Sequence, residues 1–214
     1  TNTPTEKLTL AGGPFLQTSA APIHVGAIGD DGVTELLRAS RIFVSGKYAY
    51  VTSSIDDGVE ILDISDPTNP THVGAITDDG TTALDGAYSI YVSGQYAYVT
   101  GQNDNGVEIL DISDPTYPTH VAEIFHDETT ELQGTTDILV SGKYAYVTGF
   151  HDDGIEILDI SDPTNPTHVA FVKDDGVRAL NGPLDIYVSG KYAYVAAREE
   201  NAVGILDISD PNNP

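Results

Sequence analysis

The chain has no cysteine, no methionine and no tryptophan among its 214 residues. Without cysteine, a disulfide framework and a thiolate metal site are both excluded. Basic residues are scarce. Lys and Arg number 9 against 33 Asp and Glu, for a formal charge of −24. Such a surface repels nucleic acid and anionic membrane, so neither is expected as a partner. It suits a solvated protein, a divalent cation or a basic ligand. No apolar run approaches the ~18 residues of a membrane span. The opening Thr1–Thr5 lacks the basic and apolar regions of a leader, so any leader is expected to have been removed. The two Asn-x-Thr triplets, at Asn69 and Asn165, both carry Pro in the middle, and N-glycosylation there is not expected.

What is present is a repeat. Pro70, Pro118, Pro166 and Pro214 stand 48 residues apart, and so do His24, His72, His120 and His168. Residues 23–70, 71–118, 119–166 and 167–214 align without an insertion, which leaves residues 1–22 as an N-terminal extension. Leu8–Leu10 and Phe15-Leu16 of that extension are apolar enough to dock on the repeats.

Each copy contains four runs rich in Val, Ile and Tyr, punctuated by Gly or Pro at the short spacings of an all-β chain. In the first full set these are Arg41–Val44, Tyr48–Thr52, Val59–Ile64 and His72–Ile76. Pairs such as Ile109-Leu110 and Tyr98-Val99 place apolar groups on both faces of one strand. A sandwich leaves one face wet, whereas a propeller blade packs both faces on its neighbours. The expected fold is therefore an all-β propeller of four four-stranded blades, with strands A to D running outward from the channel.

Val-Ser-Gly-Lys-Tyr-Ala-Tyr-Val at 44–51, Val59-Glu60-Ile61-Leu62-Asp63 and the tail Ser65-Asp66-Pro67 recur in every copy, departing only at Gln95, Ile155 and Gly204. In these segments the sequence resembles the LVIVD repeat family of bacterial and archaeal β-propellers. The resemblance implies a propeller and an extracellular or cell-surface setting, and it implies no particular chemistry.

The repeat is out of phase with the blades by one strand. An outer D strand comes first, at His24–Ile28, and the fourth copy stops after its C strand. Pairing His24, Val25 and Ile28 with the last blade would close the ring and cover an edge open to aggregation. That pairing can be made within one chain, by exchange between two chains, or head to tail in a fibre; the fourth reading is that the chain is a fragment of a larger propeller.

Candidate sites gather on one face. The D–A loops (29–40, 77–88, 125–136, 173–184) and B–C loops (53–58, 101–106, 149–154, 197–202) are where the copies differ most, and variable loops on a rigid scaffold are where binding concentrates. Asp56, Asp57, Asp104, Asn105, Asp152 and Asp153 are candidate Ca²⁺ ligands, because hard cations need several oxygens on tight turns. The same residue types also form turns without a metal. Arg41, Ser89, Asp137 and Asp185 begin the four channel strands. Arg41, Asp137 and Asp185 would form a salt-bridged plug or a polar pocket. His126, His151 and Phe150 lie in variable loops and suit a ligand contact. The histidine column at 24, 72, 120 and 168 is expected to be structural.

With no Cys nucleophile, no G-x-S-x-G elbow and no H-E-x-x-H helix, no catalytic residue is assigned. The expectation is a non-enzymatic extracellular or surface scaffold that binds a protein, a glycan or copies of itself. The alternative is a filament subunit assembled by strand donation. A hydrolase or lyase using His126 and His151 is a third reading.

Overall fold

The computed structural model describes residues 22–214, together with the backbone of a two-residue pair, β1 (Thr9–Leu10) and β2 (Gly13–Pro14). Leu8, Phe15 and Leu16, expected to dock on the repeats, lie outside the described residues.

The repeats fold as four antiparallel sheets. The first is β3 (Ala39–Ser45), β4 (Tyr48–Ser53), β5 (Gly58–Asp63) and β6 (Thr71–Thr77). The second is β7 (Ala87–Ser93), β8 (Tyr96–Gly101), β9 (Gly106–Asp111) and β10 (Thr119–Phe125). The third is β11 (Thr135–Ser141), β12 (Tyr144–Gly149), β13 (Gly154–Asp159) and β14 (Thr167–Lys173). The fourth has three strands, β15 (Pro183–Ser189), β16 (Tyr192–Ala197) and β17 (Ala202–Asp207). Among the described residues no helix is long and apolar enough to cross a membrane.

Turn chemistry sets the register. Ser45 pairs with Tyr48 across a two-residue hairpin whose first residue, Gly46, has φ 61°. A side chain is strained in that conformation, which is why Ser-Gly recurs at this point. On the opposite face, Ser53 pairs with Gly58 around a loop that ends in Asp57 at φ 53°. Asp and Asn tolerate this left-handed conformation better than other side chains do. Asn105, Asp153 and Asn201 repeat it in the later blades.

The core lies between blades, as the doubly apolar strands require. Tyr50, Val59 and Ile61 of the first blade pack on Ile90, Val92, Val99 and Leu110 of the second. Tyr98, Val107 and Ile109 meet Ile138, Val140 and Val147 of the third. Tyr146, Ile155 and Ile157 meet Ile186, Val195 and Leu206 of the fourth. The channel strands pack in sequence, β3 on β7, β7 on β11 and β11 on β15.

The arc is open. The closing pairing expected of His24, Val25 and Ile28 is not made within the chain. Residues 22–30 carry no strand pairing, and the outer edge of β17 has no partner among the described residues. The segment lies instead along the first blade. Ile28 packs on Ala49, Val51 and Leu62, while Val25 faces solvent. The physical reason is curvature: β15 does not pack on β3 as each other channel strand packs on its neighbour, so β17 does not come round to this segment.

Candidate functional site

Every blade but the last carries a buried glutamate in its C strand. Glu60, Glu108 and Glu156 are fully buried. A carboxylate without partners there would cost several kcal/mol, and each has two. His72, His120 and His168 place Nδ1 at 2.6, 2.6 and 2.5 Å from one oxygen. The other oxygen accepts the backbone N–H of Glu35, Ala83 or Glu131 at 3.1, 2.9 and 3.0 Å. A β-bulge at Val73 accompanies this pairing. His72 stands opposite Leu62, and on the same face it reaches diagonally to Glu60. Burial pushes Glu108 and Glu156 up to about 7, against the lowering effect of the N–H and imidazole. His72, His120 and His168 are thus structural, as expected of their column. The partner of each, a glutamate inside an apolar run twelve residues earlier, is the signal that sequence reading passed over.

The six candidate Ca²⁺ ligands serve as staples. Asp56, Asp104 and Asp152 accept the N–H of Leu37, Asp85 and Gln133 at 2.6, 2.8 and 2.7 Å. Asp57, Asn105 and Asp153 accept the N–H of Gly86, Gly134 and Gly182 at 2.8, 2.7 and 2.9 Å. The first set ties two loops of one blade, and the second ties each blade to the next. The structure does not bring the six together around one point.

At the channel, Asp137 is buried. It accepts the Ser89 hydroxyl at 2.6 Å and the Ile186 N–H at 2.9 Å, bridging three blades. Burial first, and Asp185 beside it second, raise its pKa to about 6. Arg41 does not join them, which corrects the expected plug. It stacks on Tyr88, 5.0 Å from the ring centroid, and donates to the Ser40 carbonyl. Its strand, β3, packs on β7 and leaves Ser89 between it and Asp137.

His126 is apart as well. Its Nδ1 accepts the Leu132 N–H at 3.2 Å and lies 3.4 Å from Asp152. Glu131, the third member of this group, is held by Lys173 at 2.8 Å.

His151 and Phe150 belong to a cleft of about 520 Å³ at the channel mouth on the variable face. Tyr88 lines it from β7, Gln102, Asn103 and Asn105 from the β8–β9 loop, Thr136 from β11 and Arg198 from the β16–β17 loop. Local backbone makes the room. Gly134 has φ 65°, and a Cβ there would stand 2.5 Å from the His151 ring. Arg198 is oriented by Glu199 at 2.9 Å and by Phe150, 5.1 Å from its guanidinium. Asn103 is oriented by Asp85 at 2.8 Å. Of the expected site residues, the structure therefore gathers His151, Phe150 and Asn105 at one cleft. Arg198 was not singled out in the sequence. It is the only basic residue in the four B–C loops, and in so acidic a chain that was a usable signal.

Several solved structures share this architecture. A Bacteroides uniformis protein described as a 6-phosphogluconolactonase superposes with a TM-score of 0.69 at 20% identity, over 90% of this chain and 57% of its own. A periplasmic gluconolactonase of Pseudomonas aeruginosa gives 0.65 at 14% identity, over 78% of this chain and 49% of its own. The computationally designed Ika4 protein gives 0.61 at 10% identity, over 87% of this chain and 99% of its own. At these identities the likeness shows the fold. The chain spans about half the length of the two lactonase structures. They correct the expectation of a non-enzymatic scaffold or filament subunit, because propellers built like this one include proteins described as enzymes.

No curated protein matches the sequence. A family model does, four times, at residues 38–78, 86–124, 134–174 and 184–214, and each match begins within one residue of the start of a channel strand. The matched stretches cover the greater part of the chain and coincide with the four sheets, so the protein belongs to the LVIVD repeat family.

Proposed function

We propose that this chain is the substrate-binding part of a catalytic propeller, and that the channel-mouth cleft takes a small polyhydroxylated lactone. The observation that carries the reading is the convergence of Arg198, His151, Gln102, Asn103 and Tyr88 from three blades on one cleft with an aromatic wall. The lactonases of the same fold support it. Amide and hydroxyl groups match sugar hydroxyls, and concave sites with a few convergent polar groups are the usual places for small ligands.

Lactone opening needs a base to take a proton from water and a donor for the oxyanion that develops on the carbonyl. In this reading His151 takes the proton as the water oxygen bonds to the carbonyl carbon. Arg198 stabilises the resulting oxyanion. The C–O bond of the ring then breaks, and the ring oxygen recovers the proton from His151.

The test is hydrolysis of glucono-δ-lactone followed by pH-stat against the uncatalysed rate. We expect acceleration by the intact chain, with losses on the order of 10²-fold for His151→Ala and for Arg198→Ala. An intact, folded chain that leaves the uncatalysed rate unchanged overturns the proposal.

A further inference from the structure

The two ends of the arc expose the surfaces that every internal joint buries. Tyr194 and Ile205 of the last blade are 38% and 61% exposed, whereas their repeat equivalents Tyr146 and Ile157 are 3% and 1% exposed. Tyr187 and Val203 extend this face. At the other end Ile42 is 63% exposed, against 5% for its equivalent Ile90, and Val44 lies beside it. The first face is the kind on which a following blade packs, and the second is the kind that packs on a preceding one.

The hydrogen-bonding groups are divided in the same way. Asp57, Asn105 and Asp153 each cap an N–H of the next blade. Asn201 holds the same left-handed conformation at φ 55°, and the N–H equivalent to those of Gly86, Gly134 and Gly182 belongs to Arg38, itself at φ 62°. Among the described residues neither the Asn201 side chain nor the Arg38 N–H has a partner. The strands are divided likewise. β17 lacks an outer neighbour, and residues 24–28 repeat the sequence of residues 72–76. Residues 24–28 are placed as an outer strand ahead of the first blade. Gly26 approaches the Pro67 carbonyl and Thr68 as Gly74 of β6 approaches the Pro115 carbonyl and Thr116.

We infer that a second copy of this chain covers both faces, in a two-fold ring of eight blades. The last blade of each copy packs on the first blade of the other, and residues 24–28 of each complete the last sheet of the other. Curvature favours a second copy over closure within one chain. The arc superposes on 57%, 55% and 49% of the lactonase chains and on 45% of the designed Ika8 protein, with TM-scores from 0.58 to 0.69. Four blades at this curvature make about half a turn, and four more complete it. The seams lack one feature of the internal joints. Gly204 stands where the buried glutamate would be, and a Cβ there would already meet the Ala179 carbonyl at 2.8 Å. His24 therefore finds no carboxylate at a seam, which rests on apolar contact, strand pairing and the Asn201–Arg38 cap.

Sedimentation and light scattering at about 0.15 M salt, where charge repulsion between copies is screened beyond about 8 Å, test this directly. We expect a single species of twice 22.7 kDa. Ile42→Asp and Ile205→Lys, at positions exposed in one copy, are each expected to return it to 22.7 kDa with the far-UV circular dichroism unchanged. Tyr194→Asp is the second variant of the last-blade face. Mixing the Ile42→Asp and Ile205→Lys chains leaves one seam with both natural faces, so dimer should partly return. Wild-type chain at 22.7 kDa, species larger than two copies, or folded variants that stay dimeric overturn the inference.

Discussion

At the residue scale, the buried glutamates carry the sharpest consequence for pH. Glu108 has an ordinary value of 4.5 in the unfolded chain and about 7 in the fold, with burial as the main cause. Between those values the folded state holds a proton that the unfolded state has released, so stability falls as pH rises. The contribution is fully present below about 4.5 and lost by about 7. Asp63 and Asp207 act on the other side. They are held at about 2, first by the hydroxyls of Ser65 and Ser209 and then by local N–H and lysine contacts. Their stabilisation is present above 3.8 and lost as pH falls toward 2. Maximum stability is therefore expected near pH 4–5. Glu108→Gln keeps an acceptor for the Ala83 N–H and a donor for His120, but cannot ionise. It should flatten the descent between pH 4.5 and 7 and raise stability at pH 8 on the order of 2–3 kcal/mol. Urea melts of both proteins across that range check it, and an unchanged slope would remove burial of Glu108 as the cause.

At the element scale, the B–C loop is a fastener between blades whose chemistry needs one oxygen and one left-handed residue. Asp57 meets both needs, with φ 53° and its bond to Gly86. Asn105 meets them in the next blade with an amide. Asp57→Asn should therefore be close to neutral. Asp57→Ala loses the cap and strains the backbone, and should cost about 1–2 kcal/mol by chemical denaturation. Equal losses for Asn and Ala would mean that the negative charge, not the cap, is what matters. These elements were legible in the sequence to different depths. Strands β3 to β17 were readable because Ser-Gly, Asp-Gly and Asp-Pro fix the turns and the apolar residues fall on both faces. The use of Asp56 and Asp57 was readable only as a choice between turn and cation, since both ask for oxygens near glycine. Arg41 misled because its column suggested proximity to Asp137, and only the packing order of the channel strands shows Ser89 between them. The cleft at His151 and Arg198 joins loops 47 residues apart in sequence, and spacing alone does not place such residues side by side.

At the scale of the whole molecule, the arc behaves as a short one-dimensional array, in which each blade is stabilised only by its neighbours. The second and third blades have apolar contact on both faces. The fourth has it on one face, and the first has a single blade neighbour plus the 22–36 segment on Ala49, Val51 and Leu62. Local opening should follow that order, since protection against hydrogen exchange scales with buried contact and cooperative neighbours. In a single copy, amides of β8 and β12 are expected to exchange slowest and those of β16 and β17 fastest. The missing glutamate at Gly204 adds to the difference, because the loop before the last blade loses the carboxylate that ties Glu35, Ala83 and Glu131 elsewhere. Dilution of an assembled ring offers the contrast. Where a second copy covers Tyr194 and Ile205, exchange in β16 should slow toward that of β12, and the Ile205→Lys chain should keep the fast pattern at every concentration. Uniform protection across all four blades in a chain shown to be monomeric would mean that cooperativity runs through the whole arc rather than from blade to blade.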